Sequence, residues 1–307
     1  MEIATPAQFA ELDAFLMTHN HSSLYLRAEL RRSWGQPMFA VAREHGRIVA
    51  TATQSLAGMI LLQAPVRAGD VSEAVLKQSG RRLAGFFGPL HQVRAARAEM
   101  GLDAAPALKD SAEDLFALKL SDLRLPPALA CGQVRCRIAG AADFEQLAEW
   151  RYAFREATLK DIPGEQLEKT SRGDITSLLP AGSLFILEGD GPLACCSFNA
   201  RLPDMVQVGN VWTPPALRGR GYGRAVVAGA LQIARDAGAV KAILATGRHN
   251  VAAQAAYRAI GFNSVGDYAT LTFDPTENAY CRVEQAAGRL PPYVMQSASP
   301  CRLHARP

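Results

Sequence analysis

The spacing of apolar residues changes several times along this chain, and the changes follow the same order in its two halves. In the first half, apolar residues three or four positions apart predict helices over residues 7–17, 23–32, 72–83 and 91–100. Short apolar runs predict strands over residues 39–42, 48–53, 59–63 and 82–87. A mixture of short helices and strands is typical of an α/β fold.

The second half repeats this order of helices and strands. Helical spacing recurs over residues 143–158, 165–174 and 225–237, and in a short segment that holds Tyr257. Strands are predicted over residues 134–138, 183–187, 193–200, 206–213 and 240–245. We therefore expect two α/β domains built in the same way.

Proline and glycine mark the expected boundaries between the domains. Pro126, Pro127 and Gly132 indicate a linker, and residues 113–125 before it fit either a strand pair or a short helix. Prolines recur near the C-terminal end without a clear apolar pattern. The predicted division is a first domain over 1–125, a linker over 126–133, a second domain over 134–274 and an irregular tail over 275–307.

Composition restricts the class of protein. The chain has 307 residues, of which 49% are hydrophobic and 20% charged, as in ordinary soluble proteins. A net charge of +4 without an aromatic-studded basic patch does not require a nucleic-acid partner. The sequence contains neither an apolar run of about 20 residues nor a secretory leader pattern. Six scattered cysteines without a Cys-x-x-Cys pair predict reduced thiols in a cytoplasm and no metal site.

A glycine-rich turn separates the predicted strand 206–213 from the helix 225–237. It reads Arg218-Gly219-Arg220-Gly221-Tyr222-Gly223-Arg224. Glycine allows backbone angles that are closed to other residues, and the free N–H groups at a helix N-terminus attract an anion. The three arginines add positive charge to the same place. The sequence therefore predicts a phosphate site, and we expect a diphosphate.

Two common phosphate-binding motifs do not fit this turn. A dinucleotide-binding turn needs Gly-x-Gly-x-x-Gly and an acidic residue about 20 positions later. Here the third glycine comes one position early, and Asp236 is the only nearby acid. A P-loop needs Gly-Lys followed by Ser or Thr, which the turn lacks.

The spacing Thr213-x-Pro215-x-x-Arg218-Gly219-x-Gly221-x-Gly223 instead resembles the acetyl-CoA motif of the GCN5-related N-acetyltransferases (GNAT). Asn250, Tyr257 and the pair Gly261-Phe262 also match a second block of that family, and the resemblance covers residues 134–273. It implies two GNAT-like domains, each a mixed, mostly antiparallel sheet flanked by helices. It also implies an acetyltransferase that uses acetyl-CoA as co-substrate, without a metal, and acts on a small-molecule or peptide amine.

The resemblance also implies where acetyl-CoA binds. The central strand would diverge from its neighbour and offer backbone groups to the pantetheine arm, and Gly209-Asn210 fits a bulge there. The cofactor-binding residues would be Val211, Trp212, Thr213, Arg218, Gly219, Arg220, Gly221, Tyr222, Gly223, Arg224 and Asn250. Asn250 also fits a simple helix cap, and the arginines also fit an ordinary surface.

Tyr257 is the predicted general acid, because a phenol stays protonated at neutral pH and can donate to a leaving thiolate. A core tyrosine is the alternative. No general base is identified, since residues 205–213 contain no acid. Four acidic residues on or beside the first helices of the second domain are candidate bases, but each is more typical of a solvated helix residue: Glu149, Glu156, Asp161 and Glu165. A water chain could do the same work. His249 is more typical of a surface turn. The adjacent Cys195-Cys196 lie on a predicted strand, so one of them would face the core, and an acyl-cysteine route is not expected.

The first half lacks the motif of the second. Residues 64–69 occupy the position of the glycine turn without an Arg-Gly-x-Gly sequence, so we do not expect CoA to bind there. The first half is interpreted as a degenerate copy of the second domain, with an unrelated small α/β domain as the alternative. Such an inert half could replace a second subunit and favours a monomer. A CoA-binding module without turnover is the alternative function.

Overall fold

The computed structural model describes residues 1–31 and 38–274. The predicted tail over 275–307, and Arg32 at the end of a predicted helix, lie outside the described residues. The chain divides into two compact units. Unit 1 contains residues 1–115 and the segment that begins at Val265, and unit 2 contains residues 116–264.

Within the described residues, unit 1 is a sheet flanked by four helices. Along the chain, two of these helices precede the central strands and two follow them. Its elements up to the division are β1 (Glu2–Ile3), α1 (Phe9–Thr18), α2 (Leu24–Leu30), β2 (Phe39–Glu44), β3 (Arg47–Gln54), β4 (Met59–Gln63), α3 (Ala68–Ser79), β5 (Gly85–Pro89), α4 (Leu90–Glu99) and β6 (Ala107–Lys119). One buried cluster joins α3 and α4 to the sheet, and another joins α1 and α2 to it. Helices therefore flank a central sheet.

Unit 2 has the same architecture. Its elements are α5 (Pro127–Ala130), β7 (Arg135–Ile138), α6 (Phe144–Phe154), α7 (Glu165–Leu178), β8 (Leu184–Glu188), β9 (Pro192–Arg201), β10 (Met205–Trp212), α8 (Tyr222–Asp236), β11 (Lys241–Gly247) and α9 (Val251–Ala259). A π-helical turn over Arg155–Leu159 extends α6. Helices α8 and α9 pack through one core cluster, and α6 and α7 through another.

The pairing of strands confirms the predicted fold class. In unit 2, β7, β8, β9 and β10 pair antiparallel in that order, whereas β10 and β11 pair parallel. In unit 1, β1 to β4 pair antiparallel and β4 pairs parallel with β5. In each unit the strand pairing is therefore mixed and mostly antiparallel, with helices on the faces of the sheet.

The last described strand, β12 (Asn263–Phe273), belongs mainly to unit 1. It pairs antiparallel with β5 from Tyr268↔Pro89 to Thr272↔Gly85. Conversely, the last residues of β6, from Phe116 on, belong to unit 2. The compact units therefore differ from the predicted division at 125 and 134, because an apolar pattern identifies a strand without identifying the strand it pairs with.

The order of elements is the same in both halves of the chain. A strand is followed by two helices, three strands, a helix, a strand, a helix and a strand, first from β1 to β6 and then from β7 to β12. Several predicted bounds shift: α3 begins at Ala68, α7 continues to Leu178, and the predicted linker contains α5. Residues 113–125 contain the end of β6 and a 3₁₀ turn over Leu120–Asp122.

Gly85 makes the contact between β5 and β12 possible, and we expect Gly85→Ala to destabilise unit 1. Its φ is +155°, and a Cβ there would overlap the carbonyl oxygen of Leu271. Overpacking of this kind costs about 2 kcal/mol. Gly46→Ala is the control, because Gly46 has φ +79° with nothing within 4 Å of its Cβ position, so only the backbone strain of about 1 kcal/mol applies. Urea unfolding curves measure the free energy of unfolding of both variants. An equal loss of stability in the two would contradict the steric argument.

Candidate functional site

Strands β10 and β11 separate near their C-terminal ends. Their parallel register runs from Met205↔Lys241 to Gln207↔Ile243, although β10 continues to Trp212 and β11 to Gly247. On its other side, β10 shifts register against β9 between Gly209 and Trp212. The structure therefore places a bulge where the sequence predicts one, next to a gap between two parallel strands.

Asn210 produces the bulge through its backbone. Its φ is +51°, a left-handed value that few residues other than glycine, asparagine and aspartate adopt readily. Gly209 next to it leaves room for Asn199, whose side chain would overlap a Cβ at position 209. Together these two residues turn the end of β10 away from its regular pairing.

The glycine turn lies at the N-terminus of α8. Gly219 and Gly221 have φ values of +78° and +80°, and Gly221 is the N-cap residue of the helix. The first intrahelical bond runs from the N–H of Ala225 to the carbonyl oxygen of Gly221, and the first turn has no acidic residue. The N–H groups ahead of Ala225 and the positive end of the helix dipole can therefore bind an anion.

The third glycine keeps this turn close to the end of β10. A Cβ on Gly223 would lie 3.4 Å from the Oγ1 atom of Thr213 and 4.0 Å from the Cγ1 atom of Val211. Both of those residues are half-buried. The gap between the parallel strands and the glycine turn thus form one continuous site at one edge of the sheet in unit 2.

The three arginines of the turn are exposed, and one has contacts within the protein. The guanidinium of Arg218 lies 4.9 Å from the ring centre of Trp212, and its Nε donates to the carbonyl oxygen of Thr213 at 3.1 Å. Trp212 is buried and packs against α6. Arg218 therefore contacts the end of β10, and the guanidinium of Arg224 lies 3.0–3.4 Å from the Cβ position of Gly221.

The corresponding helix of unit 1 already has an anion at its N-terminus. The N–H of Gly69, in the first turn of α3, donates to the carboxylate Oε2 of Glu99 at 2.6 Å. A Cβ on Gly69 would lie 2.5 Å from the Cβ of Glu99. A side chain of α4 thus occupies at α3 the position that stays open at α8, so an anion that bound there would have to displace the Glu99 carboxylate.

Tyr257 lies on α9, in the core cluster that also contains Val208 of β10 and Val226 of α8. It is 8% exposed, and its ring makes edge contacts with Phe116 and Phe262 at centroid distances of 6.5 and 6.1 Å. Burial, with a smaller contribution from Cys196, raises the pKa of the Tyr257 phenol. Tyr257 is therefore part of the core, as the core-tyrosine interpretation of the sequence expected. Its raised pKa keeps the hydroxyl protonated at neutral pH.

Burial of two tyrosines makes stability depend on pH in the alkaline range. Burial raises the pKa of Tyr257 and of Tyr268, whereas an unfolded chain releases a tyrosine proton near pH 10. Above that pH the folded state retains protons that the unfolded state has lost, so stability is present below pH about 10 and declines above it. Urea unfolding at pH 8 to 11 measures this decline. It should be smaller in Tyr257→Phe; an identical decline would contradict the assignment.

Asn250 caps α9. Its Oδ1 accepts a hydrogen bond from the N–H of Ala253 at 3.2 Å, and the side chain is exposed. The capping interpretation is therefore confirmed, and the role of Asn250 in binding a ligand remains a prediction. His249, next to it, is exposed on the turn after β11.

The sequence did not predict a polar network that lies on the α6 side of the sheet. The Nη1 of Arg151 donates to the Oδ1 of Asn210 at 2.6 Å, and its Nε pairs with Asp174 at 2.7 Å. The Nδ2 of Asn210 donates to Ser197 at 2.8 Å and to Asn199 at 2.9 Å. These residues are far apart in sequence, so only the fold brings them to the bulge.

We expect Asn210→Ala to destabilise unit 2 more than Asn210→Gly. Both variants remove the amide that joins Arg151 to Ser197 and Asn199, and each lost bond to a charged or buried group costs about 1–3 kcal/mol. Alanine adds the strain of a positive φ, which costs about 1–2 kcal/mol and which glycine avoids. Chemical denaturation measures the difference. Equal stabilities would show that the backbone at residue 210 relaxes.

The candidate bases and cysteines have ordinary environments. Asp161 pairs with Arg155 at 2.7 Å, and Glu156 is exposed. Glu149 and Glu165 lie on facing sides of α6 and α7. Cys195 and Cys196 are buried in the two different core clusters of unit 2, and burial raises the pKa of Cys195 to about 12. A thiol with that pKa is a poor nucleophile.

The described residues contain neither a metal-binding cluster nor a helix that could span a membrane. No group of three or more His, Cys, Asp or Glu side chains within residues 1–31 and 38–274 is arranged to hold a metal ion. In the same part of the chain, every helix falls short of the length and apolar character that crossing a membrane requires.

Part of the second unit resembles a known protein family. Residues 144–262 match the sequence profile of the acetyltransferase (GNAT) family. They contain α6 to α9, the diverging strands and the glycine turn. No curated protein matches the chain.

Solved structures share the fold over most of the chain. A GCN5-related N-acetyltransferase from Kribbella flavida is 18% identical, with 82% of this chain and 93% of that chain covered and a TM-score of 0.54. One from Sphaerobacter thermophilus is 12% identical, with 88% and 93% covered and a TM-score of 0.55. A tandem GNAT protein from the clavulanic acid biosynthesis pathway is 14% identical, with 88% and 97% covered and a TM-score of 0.54. The chain therefore shares the GNAT fold over most of its length, and residues 144–262 match the GNAT acetyltransferase family.

Proposed function

We propose that this protein transfers the acetyl group of acetyl-CoA to an amine. The observation that carries the proposal is the continuity between the glycine turn at α8 and the gap between β10 and β11. The anion-binding turn would hold the diphosphate of acetyl-CoA. Free backbone groups along the end of β10 would bind the extended pantetheine arm, which runs from the diphosphate into the sheet.

The residues of the site fit acetyl-CoA in this order. The N–H groups after Gly221 and the side chains of Arg220 and Arg224 would hold the diphosphate. The backbone between Val208 and Trp212, which β11 does not pair, would bind the pantetheine arm, and Asn250 would contact it at the far side. The cofactor supplies an acetyl thioester, and the protein supplies position and proton donors.

Tyr257 would provide the proton for the leaving group. In the reaction a nitrogen–carbon bond forms, the carbon–sulfur bond breaks, and the thiolate takes a proton from the phenol hydroxyl. The nitrogen loses one proton as it becomes an amide, and water would carry that proton back to the phenolate. The amine must lose its own proton first, since an alkylamine is protonated at neutral pH. Solvent water that enters the gap would take that proton, because β10 has no acidic residue.

The remaining expectations belong to this proposal. The acceptor would be a small-molecule or peptide amine, and the protein would act as a monomer in the cytoplasm. Unit 1 would be a degenerate copy that binds no CoA. The repeated order of elements and the carboxylate of Glu99 at the N-terminus of α3 support this role.

The proposal is tested by incubating the full chain with acetyl-CoA and a panel of amines and measuring the free thiol released. Release that depends on the amine is the expected result. CoA binding in a titration without thiol release from any amine would favour the alternative, a CoA-binding module without turnover. Absence of any affinity for CoA would overturn both.

A further inference from the structure

Arg151 of α6 connects helix α7 to the bulge at the end of β10. Its side chain is 13% exposed. The Nη1 atom donates to the Oδ1 atom of Asn210 at 2.6 Å, and the Nε atom donates to the carboxylate of Asp174, on α7, at 2.7 Å. One largely buried guanidinium therefore joins α6, α7 and the bulge.

The side chain of Asn210 is held at both ends of its amide. A guanidinium can only donate hydrogen bonds, so the amide atom that faces Arg151 is the carbonyl oxygen. The Nδ2 atom of Asn210 consequently points the other way and donates to Ser197 and Asn199 of β9. Arg151 thus determines the direction of the amide, and the amide ties residue 210 to a helix and to a neighbouring strand.

The backbone of Asn210 requires contacts of this kind. Its φ of +51° is a left-handed value, which asparagine tolerates without favouring it, and the register between β10 and β9 shifts at the same place. Such a backbone persists where the surrounding structure determines it. The bonds to Ser197 and Asn199 come from the adjacent strand, whereas the bond from Arg151 comes from a helix and ties the bulge to a second element.

Helix α6 also contacts β10 two residues after the bulge. The guanidinium of Arg151 lies 5.3 Å from the centre of the Phe154 ring. That ring makes an edge contact with Trp212 at a centroid distance of 6.2 Å. Helix α6 therefore holds β10 at Asn210 and at Trp212, and both residues lie in the stretch that β11 does not pair.

The contacts of Arg151 and those of the glycine turn lie on opposite faces of β10. Val211 packs against the core cluster that contains α8, and a Cβ on Gly223 would lie 4.0 Å from its Cγ1 atom. Trp212 belongs to the cluster that contains α6. Loss of Arg151 can therefore change the backbone at the end of β10 without changing the N–H groups at the N-terminus of α8.

We propose that Arg151 is a positioning residue for the pantetheine arm of CoA. Acting through Asn210, it holds residues 210–212 in the bulged conformation that keeps their backbone available to the arm on the β11 side. The inference rests on the binding of CoA at this site, which is part of the proposed function. It divides the ligand into two parts, because the arm depends on Arg151 and the diphosphate does not.

The test compares two ligands by calorimetric titration of the full chain: CoA, and 3′-phosphoadenosine 5′-diphosphate, which carries the same phosphates without the arm. In Arg151→Gln we expect CoA to bind about tenfold more weakly, because only the molecules that keep the bulge would bind the arm. The affinity for the fragment should stay unchanged. Arg155→Gln is the matched control and should bind CoA normally, because its guanidinium pairs with the same Asp174 at 3.0 Å and its other partner is Asp161.

A double-mutant cycle tests whether Arg151 acts through Asn210. Asn210→Gly permits the positive φ but removes the amide, so it should weaken CoA binding by itself. Adding Arg151→Gln to Asn210→Gly should cause no further loss, because both changes break one connection. Arg151→Lys keeps the charge beside Asp174 but lacks the planar fork that forms both bonds, so it should behave like Arg151→Gln. It remains informative if thermal unfolding shows that Arg151→Gln does not fold.

Four results would overturn the inference and leave the proposed function in place. They are an unchanged affinity for CoA in Arg151→Gln, an equal loss for CoA and the fragment, an equal loss in Arg155→Gln, and additive losses in the cycle. A protein that binds neither ligand before any substitution would overturn both proposals. CoA binding without turnover would contradict acetyl transfer alone, because the titrations contain no acetyl donor and no amine.

Discussion

Replacing Tyr257 with phenylalanine is expected to lower the turnover of acetyl transfer by about 100-fold or more, with little change in the affinity for CoA. A positioned proton donor contributes about 10²- to 10⁴-fold to a reaction of this type. The change removes only the hydroxyl, so the ring keeps its edge contacts with Phe116 and Phe262. Steady-state kinetics with the best amine of the panel, together with a CoA titration, separates the two quantities.

Tyr268→Phe provides the control for this experiment. Tyr268 is also buried, but it belongs to unit 1, where its hydroxyl donates to the carbonyl oxygen of Ser22 at 3.1 Å. Its replacement should affect stability and leave turnover unchanged. An unchanged turnover in Tyr257→Phe would remove the acid role and leave this residue as a core tyrosine.

Replacing Gly221 with aspartate is expected to weaken CoA binding about 10²- to 10³-fold. The carboxylate would compete for the free N–H groups of α8 and repel a phosphate, and each lost charge-assisted hydrogen bond costs about 1.5–3 kcal/mol. Aspartate tolerates the φ of +80° at this position better than most residues do, and it is a favoured N-cap residue. The helix should therefore remain folded while the anion site is lost.

Gly238→Asp is the matched variant at the other end of the same helix. Gly238 has φ +101°, follows the C-terminus of α8, and has nothing within 4 Å of its Cβ position. Gly238→Asp adds the same charge and comparable backbone strain at the end of α8 that is remote from the glycine turn. The affinity for CoA should therefore not change. Isothermal titration with CoA measures both variants. Equal losses, or no loss at Gly221, would contradict the assignment of the turn.

The glycine turn could be predicted because its information is local. A strand, a proline break, alternating glycines and a helix follow one another in the chain, and each has a physical reason to be there. The structure places Gly219 and Gly221 at the positive φ values that the sequence leads one to expect. The bulge at Gly209 and Asn210 was predictable for the same reason.

Contacts between distant residues could not be predicted. Arg151 meets Asn210 only because α6 packs over the end of β10, and Glu149 and Glu165 line one cavity only because α6 and α7 face each other. Glu149 and Glu165 look like solvated helix residues in the sequence, since a periodic pattern shows which residues face outward and not what lies opposite them. The role of Glu99 as an internal anion in unit 1 has the same origin.

The position of β12 has a consequence for the order in which the molecule forms. Proteins are synthesised from the N-terminus and their domains generally fold as they emerge, but β5 must wait for a partner almost 180 residues later, since Pro89 pairs with Tyr268. The amino-terminal unit is thus the last to be completed on the ribosome. Until then the apolar strand Gly85–Pro89 presents an open edge, and a nascent chain stalled before residue 265 would be prone to aggregate there.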